Sequence, residues 1–523
     1  MNNFNIKYFL SFLSSVSISL LSLMIFSLIS CNKDIIEASG EWTEQAPAKL
    51  DENAGNWKPC VLISADDIKI PDALATTTSQ YQQELQEVKG AQANMTSTQK
   101  AAIKYWSAGV TLRWNEIMRA LVAKYNLAPQ NNADGTYPIP SQANPFAYPV
   151  FPFSNPPYAA RAYAYVCVAQ YDALVAAYKL KQQYKRPAPY KIDATLNPSI
   201  LKSDLPTYPS EDAAVSSVSV ELLKFLFPTE VEFLTAKAQE ASFYKMWAGA
   251  AVRSDIVAGD SLGRAVAAKV LAKVRTDGMR NALGTQALWD SLANNRTTIG
   301  EEPWKSMESP SRPPMLPFYG GVRVWLIPNV AAVRPEPPVS TKSAEIQKQL
   351  AEVKSYTTNP IRENIAIVHF WADGTGTQTP PGHWNAIACD GIKKAQMSEV
   401  RTARNLALLN MSLMDAAISC WDTKSYYYYP RPSQLDKSIK ALTGLPNFPS
   451  YTSGHSTFSG AAATVLGYIF PSNKNHYDDL AKDASNSRLF GGIHYRMDCE
   501  VGLQVGINIG NFAIQRAKTD GAE

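Results

Sequence analysis

The sequence has little cysteine and little net charge, and each shortage excludes a class of protein. It contains 6 cysteines in 523 residues and none in a C-x-x-C pattern, so no zinc or iron–sulfur site of familiar spacing is predicted. The formal net charge is only +4, which leaves no basic excess to follow a nucleic-acid backbone. We therefore expect no nucleic-acid partner.

Long apolar runs are also absent beyond the N-terminus. The one such run covers residues 9–29, follows Lys7 and leads into Cys31. A positive flank before an apolar run is typical of a secretory signal, and a cysteine at the cleavage zone resembles the lipobox of bacterial lipoproteins. We expect residues 1–30 to be removed and Cys31 to be lipidated, which would attach an exported protein to a membrane of the cell envelope. A plain signal peptide or an uncleaved anchor is the alternative.

The alternation of apolar and polar residues that marks β-strands is nearly absent, whereas helical periodicity is frequent. The fold class is therefore predicted as all-α, built from helical bundles. Proline-rich stretches separate the helical runs, and interleaved aromatic residues indicate long ordered loops. No internal repeat is recognised. Helices are predicted at 99–124, 157–183, 211–227, 230–251, 255–276, 343–355, 400–421, 454–469 and 499–518.

These patterns divide the chain into four regions. Residues 1–30 are the signal, and residues 31–97 are predicted to be a tether and an irregular segment, because prolines interrupt any long periodic run. Residues 98–340 form an N-terminal helical half and residues 341–520 a C-terminal helical half. The candidate site lies in the second half, within a core at 400–518.

The first chemically suggestive segment places Lys424 and Arg431 directly after a long predicted helix, with Pro432 behind them. Two permanent cations so close together can bind an anion. Cations near a helix C-terminus also stabilise the helix dipole, which is the alternative interpretation.

The second segment brings Ser453, Gly454 and His455 to the start of a predicted helix. Free backbone N–H groups and the positive dipole end attract an anion there, and a glycine lets the backbone approach it closely. A serine N-cap beside a surface histidine would give the same pattern without a ligand.

The third segment contains Arg488, His494 and Asp498. The histidine and the aspartate are four residues apart, so on one helical turn they share a face. A carboxylate can then hold the Nδ1 proton and leave Nε2 free as a nucleophile or metal ligand. An ordinary surface contact is the alternative.

Together the segments give K-x₆-R-P, S-G-H and S-R-x₅-H-x₃-D in order. This pattern resembles the superfamily of type 2 phosphatidic acid phosphatases, bacterial acid phosphatases and vanadium-dependent haloperoxidases. The resemblance implies a vanadium chloroperoxidase-like helical fold and a pocket for vanadate or phosphate. Lys424, Arg431, Ser453, Gly454 and Arg488 would bind the oxyanion, His494 would bond vanadium or phosphorus with Asp498 behind it, and His455 would be the acid–base group.

Finer features are similar to vanadium chloroperoxidases and their bacterial relatives. These are the length of the chain, Trp421 and Phe448 near the cations, and Tyr-Arg-Met between His494 and Asp498. A segment upstream, 370–384, resembles the same relatives and makes Asp373 the candidate partner of Arg488. An acid in a glycine-rich turn is the alternative for Asp373. The histidines outside the signature, His369, His383 and His476, are interpreted as structural.

The leading hypothesis is a vanadate-dependent haloperoxidase-like enzyme that oxidises halide with hydrogen peroxide to hypohalous acid. The resemblance implies that His455 takes a proton from the peroxide and that Lys424 polarises the oxidant. A phosphomonoesterase acting through a phosphohistidine at His494 is the second hypothesis. A third is an inactive envelope lipoprotein that keeps the fold as a binding module.

Overall fold

The computed structural model describes residues 42–137 and 152–523, and within these ranges it contains helices and loops but no β-strand. The predicted all-α class is therefore confirmed. The predicted signal peptide and the predicted lipidation site, Cys31, lie outside the described residues. The α-helices, in chain order, are α1 Ser79–Ala93, α2 Ser97–Trp106, α3 Val110–Tyr125, α4 Pro156–Tyr184, α5 Pro189–Ile192, α6 Glu211–Leu226, α7 Val231–Trp247, α8 Arg253–Val274, α9 Gln286–Thr298, α10 Ala344–Thr358, α11 Arg362–Phe370, α12 Thr379–Lys394, α13 Glu399–Tyr427, α14 Pro432–Leu435, α15 Gly454–Ile469, α16 Lys474–Phe490 and α17 Arg496–Ala517.

The N-terminal segment is more regular than the sequence indicates. Helix α1 lies inside the region predicted as irregular, and the Thr78 hydroxyl caps its start by accepting a hydrogen bond from the Tyr81 amide at 3.2 Å. Asp51 in the same segment binds Arg401 and Ser398 of the C-terminal half. The described part of this segment therefore packs onto the helical body.

Two long central helices, α4 and α13, pack against each other and are buried over most of their length. Each uses one aspartate to hold a loop. Asp172 of α4 accepts hydrogen bonds from the amides of residues 60–62, and Asp415 of α13 accepts them from residues 325–327, at 2.6–3.0 Å. A carboxylate that receives three backbone donors is well compensated in a buried position.

The helical body contains an internal repeat, which the sequence analysis did not recognise. Helices α4–α8 and α13–α17 have pairwise identical lengths, and each residue of the first set matches the residue 243 positions later. We call residues 156–277 the N-terminal repeat and residues 399–520 the C-terminal repeat. No insertion or deletion separates them.

Tertiary contacts follow the same correspondence. Arg161 pairs with Asp277 at 2.6 Å, and the matching Arg404 pairs with Asp520 at 2.7 Å. The Ser210 amide donates to the Asp255 carbonyl at 2.9 Å, and the Ser453 amide donates to the Asp498 carbonyl at the same distance. The repeat is therefore one of packing as well as of helix length.

The C-terminal repeat positions all three chemically suggestive segments. The end of α13 carries Lys424, the start of α15 carries Gly454 and His455, and the end of α16 carries Arg488. Helices α13, α15, α16 and α17 pack on one another, so these ends are held by a common core. No helix of the described residues is long and apolar enough to cross a membrane.

The five cysteines that the structure describes are free thiols, and four of them are buried. The four buried cysteines, Cys167, Cys389, Cys420 and Cys499, all lie in helices. Burial raises the pKa of Cys499 to about 12, so this thiol stays protonated and unreactive.

Candidate oxyanion site

The His494–Asp498 contact predicted from the spacing is present. His494 Nδ1 lies 2.8 Å from Asp498 Oδ2, although the histidine precedes α17 and only the aspartate is in the helix. The same carboxylate oxygen accepts hydrogen bonds from the Ser450 hydroxyl at 2.5 Å and the Tyr495 amide at 3.2 Å. The imidazole is therefore fixed from behind by a carboxylate that is itself fixed.

Arg431 defines the protonation state of this histidine. Its Nη1 donates to the Ile493 carbonyl at 2.7 Å and to His494 Nε2 at 3.0 Å. A guanidinium can only donate, so Nε2 accepts and the ring proton is on Nδ1, where it faces Asp498. Burial and the positive charge of Arg431 lower the pKa of His494 well below its ordinary value, which also favours the neutral ring. The lone pair of His494 is therefore at Nε2, and a ligand bonded to this atom would take the place of the Arg431 Nη1 contact.

Lys424 is buried at the end of α13, and burial lowers its pKa to about 8. Its ammonium group holds the loop before α15, because all three donors are used on backbone carbonyls. The sequence predicts that Lys424 binds the oxyanion directly. In this structure its ammonium group contacts the backbone of the loop, so Lys424 fixes the loop and adds positive charge to the pocket. The accepting carbonyls are those of Pro449 (2.8 Å), Ser450 (2.8 Å) and Thr452 (2.5 Å).

Helix α15 starts at this loop and presents its N-terminus to the pocket. Ser453 is the N-cap, and its hydroxyl accepts a hydrogen bond from the Ser456 amide at 3.3 Å. A Cβ at Gly454 would meet only the rings of Trp421 and Phe458, at 3.8 and 4.0 Å. The glycine therefore leaves open space at a helix N-terminus, where backbone N–H groups point outward.

Arg488 supplies the third buried cation, from the end of α16. Its Nε donates to the Ser487 hydroxyl at 2.8 Å and its Nη2 to the Val368 carbonyl at 3.3 Å. Burial lowers its pKa to about 10, which leaves the guanidinium charged at neutral pH.

The predicted partnership of Asp373 with Arg488 stays a prediction. The Asp373 carboxylate accepts from His383 Nδ1 at 3.1 Å and lies 3.7 Å from His455 Nε2. Arg488 is close enough for its pKa to be affected by Asp373, but the two form no ion pair in the described part of the chain. The turn at 372–377 directs the carboxylate toward the two histidines instead.

His383 is a site residue that the sequence analysis assigned to structure. Its ring stacks on Trp371, with centroids 4.4 Å apart, and its Nδ1 lies 3.1 Å from Asp373 Oδ1. Burial is the main reason that the pKa of His455 falls well below its ordinary value, and Arg488 and His383 add to it. The one feature of the sequence that pointed to a contact between His383 and Asp373 is that segments 370–374 and 379–384 are close in the chain. In the structure, α12 begins between the two residues.

Two aromatic residues, Trp421 and Phe448, form a wall beside the cations. Their ring centroids are 5.0 Å apart, and Phe448 has both Lys424 Nζ and the Arg431 guanidinium carbon 5.0 Å from its centroid. The ring faces attract the cations and exclude water from them.

The pocket has the positive charge and the unpartnered hydrogen-bonding atoms that would bind an oxyanion. Three buried cations meet there, and the carboxylates of Asp498 and Asp373 are directed at histidines. Arg431 Nη2 and His455 Nε2 are buried and have no hydrogen-bond partner among the described residues. Arg431 Nη2 is a donor, and a buried donor left without a partner costs about 1–3 kcal/mol, so it fits a ligand that is anionic and accepts hydrogen bonds. The low pKa of His455 favours a neutral ring, whose Nε2 can accept a proton from such a ligand. Vanadate and phosphate both meet that description.

Comparisons with known proteins bear on the family of one segment and on the fold. Residues 405–521 match the family model described as the PAP2 superfamily. Similar solved structures are a bacterial vanadium-dependent iodoperoxidase (TM-score 0.55, 24% identity, 69% of this chain and 91% of that one) and the holo-type of a bacterial vanadium-dependent chloroperoxidase (TM-score 0.51, 13% identity, 73% and 97%). No curated protein matches the sequence.

Residues 405–521 thus match the predicted superfamily, and the fold of the chain is similar to that of bacterial vanadium-dependent haloperoxidases. The fold extends well beyond the matched segment, because the structural likeness also covers helices of the N-terminal half.

Proposed function

We propose that this protein is a vanadate-dependent haloperoxidase-like enzyme that oxidises halide with hydrogen peroxide to hypohalous acid. The observation that carries the proposal is the convergence of Lys424, Arg431 and Arg488 on a neutral His494 at the start of α15. Each of these cations is at most 2% exposed. Such a cluster is costly without a counter-charge, and an oxyanion at the helix N-terminus would supply it.

The position of each residue indicates its role in holding vanadate. His494 would hold vanadate through Nε2, since its Nδ1 proton is committed to Asp498. Arg431 Nη2 and the free N–H groups at the start of α15 would donate hydrogen bonds to the oxygens of the anion. Vanadate, when bound, supplies a Lewis-acid centre that activates hydrogen peroxide.

His455 is the group that would move the proton. Its Nε2 has no hydrogen-bond partner among the described residues, and its low pKa leaves the ring neutral and able to accept a proton from hydrogen peroxide. Asp373 lies 3.7 Å from the same atom, where its negative charge stabilises the imidazolium that forms. Lys424 would raise the electrophilicity of the oxidant through its charge.

A phosphomonoesterase is the second candidate, and the geometry of His494 favours it equally. A neutral imidazole with Nε2 as acceptor and Nδ1 held by Asp498 can also attack phosphorus. The first step of that reaction needs a protonated His455 to donate to the leaving alkoxide, whereas burial favours the neutral ring. The peroxidase reaction, which begins with proton acceptance, suits the resting site better.

We also propose that the enzyme acts in the cell envelope, anchored through a lipidated Cys31. The proposal rests on the apolar run and the cysteine that follows it. Hydrogen peroxide and halide, or a phosphomonoester, would then reach the pocket from outside the cytoplasm.

One assay separates the two reactions. Purified protein is incubated with orthovanadate, hydrogen peroxide and bromide, and halogenation of a phenolic dye is recorded; a parallel sample receives an aryl phosphate without vanadate. We expect halogenation in wild type and none in His494→Ala. Release of phosphate from the aryl ester without any halogenation would reject the haloperoxidase and favour the phosphatase.

A further inference from the structure

The N-terminal repeat contains a counterpart of the oxyanion site. The 243-residue correspondence places a buried lysine, a serine N-cap, a second cation and a helix-start aspartate in the same positions in both repeats. Four positions differ in chemistry: Gly454, His455 and His494 are replaced as given below, and Ala188 occupies the position of Arg431. The matched pairs are Lys181 with Lys424, Ser210 with Ser453, Glu211 with Gly454, Asp212 with His455, Lys245 with Arg488, Ala251 with His494 and Asp255 with Asp498.

The matched lysines also make matched contacts. Lys424 Nζ donates to the Pro449 carbonyl, and Lys181 Nζ donates to the carbonyl of Pro206, which is the equivalent proline. Both lysines lie at the end of a 29-residue helix and are at most 2% exposed. The N-terminal repeat thus keeps two of the three cations of the pocket, Lys181 and Lys245, and lacks the third, because Ala188 replaces Arg431.

The difference between the repeats that closes the pocket lies at the first residue of the helix after the N-cap serine. Gly454 begins α15 and leaves open space, whereas Glu211 begins α6 and extends a carboxylate from the equivalent position. That carboxylate lies 2.7 Å from Lys181 Nζ and 2.7 Å from Lys245 Nζ. An anion attached to the chain therefore lies between the two cations of this pocket.

We propose that the N-terminal repeat is a second tetrahedral-oxyanion pocket that the Glu211 carboxylate closes, and that removing this side chain opens it to phosphate or vanadate. By correspondence, the oxyanion of the C-terminal repeat lies beside Gly454, between Lys424 and Arg488. This second statement rests on the proposed function, because it assumes that the C-terminal site holds an oxyanion.

The surroundings of Glu211 support its role as a built-in anion. Burial acts to raise its pKa, but the charges of Lys181 and Lys245 outweigh burial and lower the pKa. Asp212 also contacts Lys245, at 2.6 Å, so the two carboxylates balance the charges of the two lysines. Ala251 replaces the histidine that would bond vanadium or phosphorus, so an opened pocket would bind an oxyanion without turning it over.

The test counts binding sites in the full chain. Orthovanadate is titrated calorimetrically into wild type and into the double variant Glu211→Gly, Asp212→Asn, which removes the occluding side chain and both carboxylates. The matched control is Glu211→Gln, Asp212→Asn, which removes the same charges but keeps the bulk. We expect one site in wild type and in the control, and two in the glycine variant. A glycine variant with the wild-type number of sites contradicts the proposal.

The outcomes separate this inference from the proposed function. Wild type that binds no vanadate refutes the proposed oxyanion site, and the second pocket is then supported or refuted by whether the glycine variant gains a site. A wild type with one site and a glycine variant without an additional one leaves the proposed function standing and rejects the second pocket.

A reciprocal variant tests the inference even if the double variant does not fold. Gly454→Glu would place a carboxylate in the C-terminal pocket as Glu211 does in the N-terminal one, and the nearest rings, at 3.8 and 4.0 Å, leave room for its Cβ. We expect a folded protein that has lost vanadate binding and whose melting temperature no longer rises with vanadate. A Gly454→Glu protein that binds vanadate as tightly as wild type, or that does not fold, contradicts the correspondence.

Discussion

At the scale of single residues, the chemistry depends on which ring nitrogen carries the proton. Arg431 forces His494 to accept at Nε2, and Asp498 takes the Nδ1 proton. His455 has an unpartnered Nε2 near Asp373. One histidine is therefore prepared to bond a ligand and the other to accept a proton.

We predict that His383 positions Asp373 for the reaction. His383→Phe keeps a ring on Trp371 but removes the donor to Asp373, and turnover should fall about 10- to 100-fold, the usual effect of losing such a supporting contact. Vanadate affinity should stay unchanged, because His383 contacts no cation of the pocket in the described structure. The measurements are kcat and calorimetric vanadate affinity.

The control is His383→Asn, whose amide N–H can replace the Nδ1 donor. It should recover most of the turnover, and the pH profile of His383→Phe should shift while that of His383→Asn follows wild type. Equal losses in both variants would mean that His383 has only a packing role.

The residues of the signature were predictable, but several of their contacts were not. The motif brought together Lys424, Arg431, Ser453, Gly454, His455, Arg488, His494 and Asp498, and the structure places them around one pocket. Asp373 lies near His455 although 82 residues separate them in the sequence. The turn that brings them together depends on how α12 packs. No local pattern encodes that contact, so the sequence did not indicate it.

At the scale of helices, the periodicity of the sequence predicted where helices lie better than it predicted the residues at which they begin and end. The predicted helix at 454–469 has the same bounds in the structure, because a serine N-cap and a Phe-Pro pair limit it. The predicted helix at 99–124 is two helices, since Gly109 adopts φ 129° between them. Helices α1, α12 and α16 were missed because their polar residues weaken the apolar stripe.

The ion pairs of Glu211 connect three helices, α4, α6 and α7, and predict a pH dependence. The pKa of Glu211 in the fold is below 4.5, so its ionisation stabilises the folded state above about pH 4.5, and this contribution is lost as the pH falls toward the lower folded value. Glu211→Gln should therefore cost about 3 kcal/mol of unfolding free energy at pH 7, as expected for breaking a buried pair.

Urea unfolding at pH 7 and pH 4 measures this effect. The difference between wild type and Glu211→Gln should be largest at pH 7 and smaller at pH 4. Glu232→Gln, at an exposed position of α7, is the control and should match wild type at both values. A difference that does not change with pH would show that Glu211 stabilises the helices without its charge.

At the scale of the whole molecule, two repeats share one architecture but only the C-terminal one keeps an open anion pocket. The repeat escaped the sequence analysis because matched positions conserve helix length and a few contacts, such as Arg161–Asp277 and Arg404–Asp520, while most side chains differ. The division into two helical halves was predictable from periodicity. Their equivalence needed the three-dimensional contacts.

The central claim is that His494 bonds an oxyanion within the cationic pocket of the C-terminal repeat. Calorimetric titration of orthovanadate into wild type, His494→Ala and His455→Ala tests it most directly. We predict that His494→Ala binds at least about tenfold more weakly, since a contact with a charged group is worth about 1.5–3 kcal/mol, and that His455→Ala binds within about threefold of wild type. Equal affinity in wild type and His494→Ala would contradict the account.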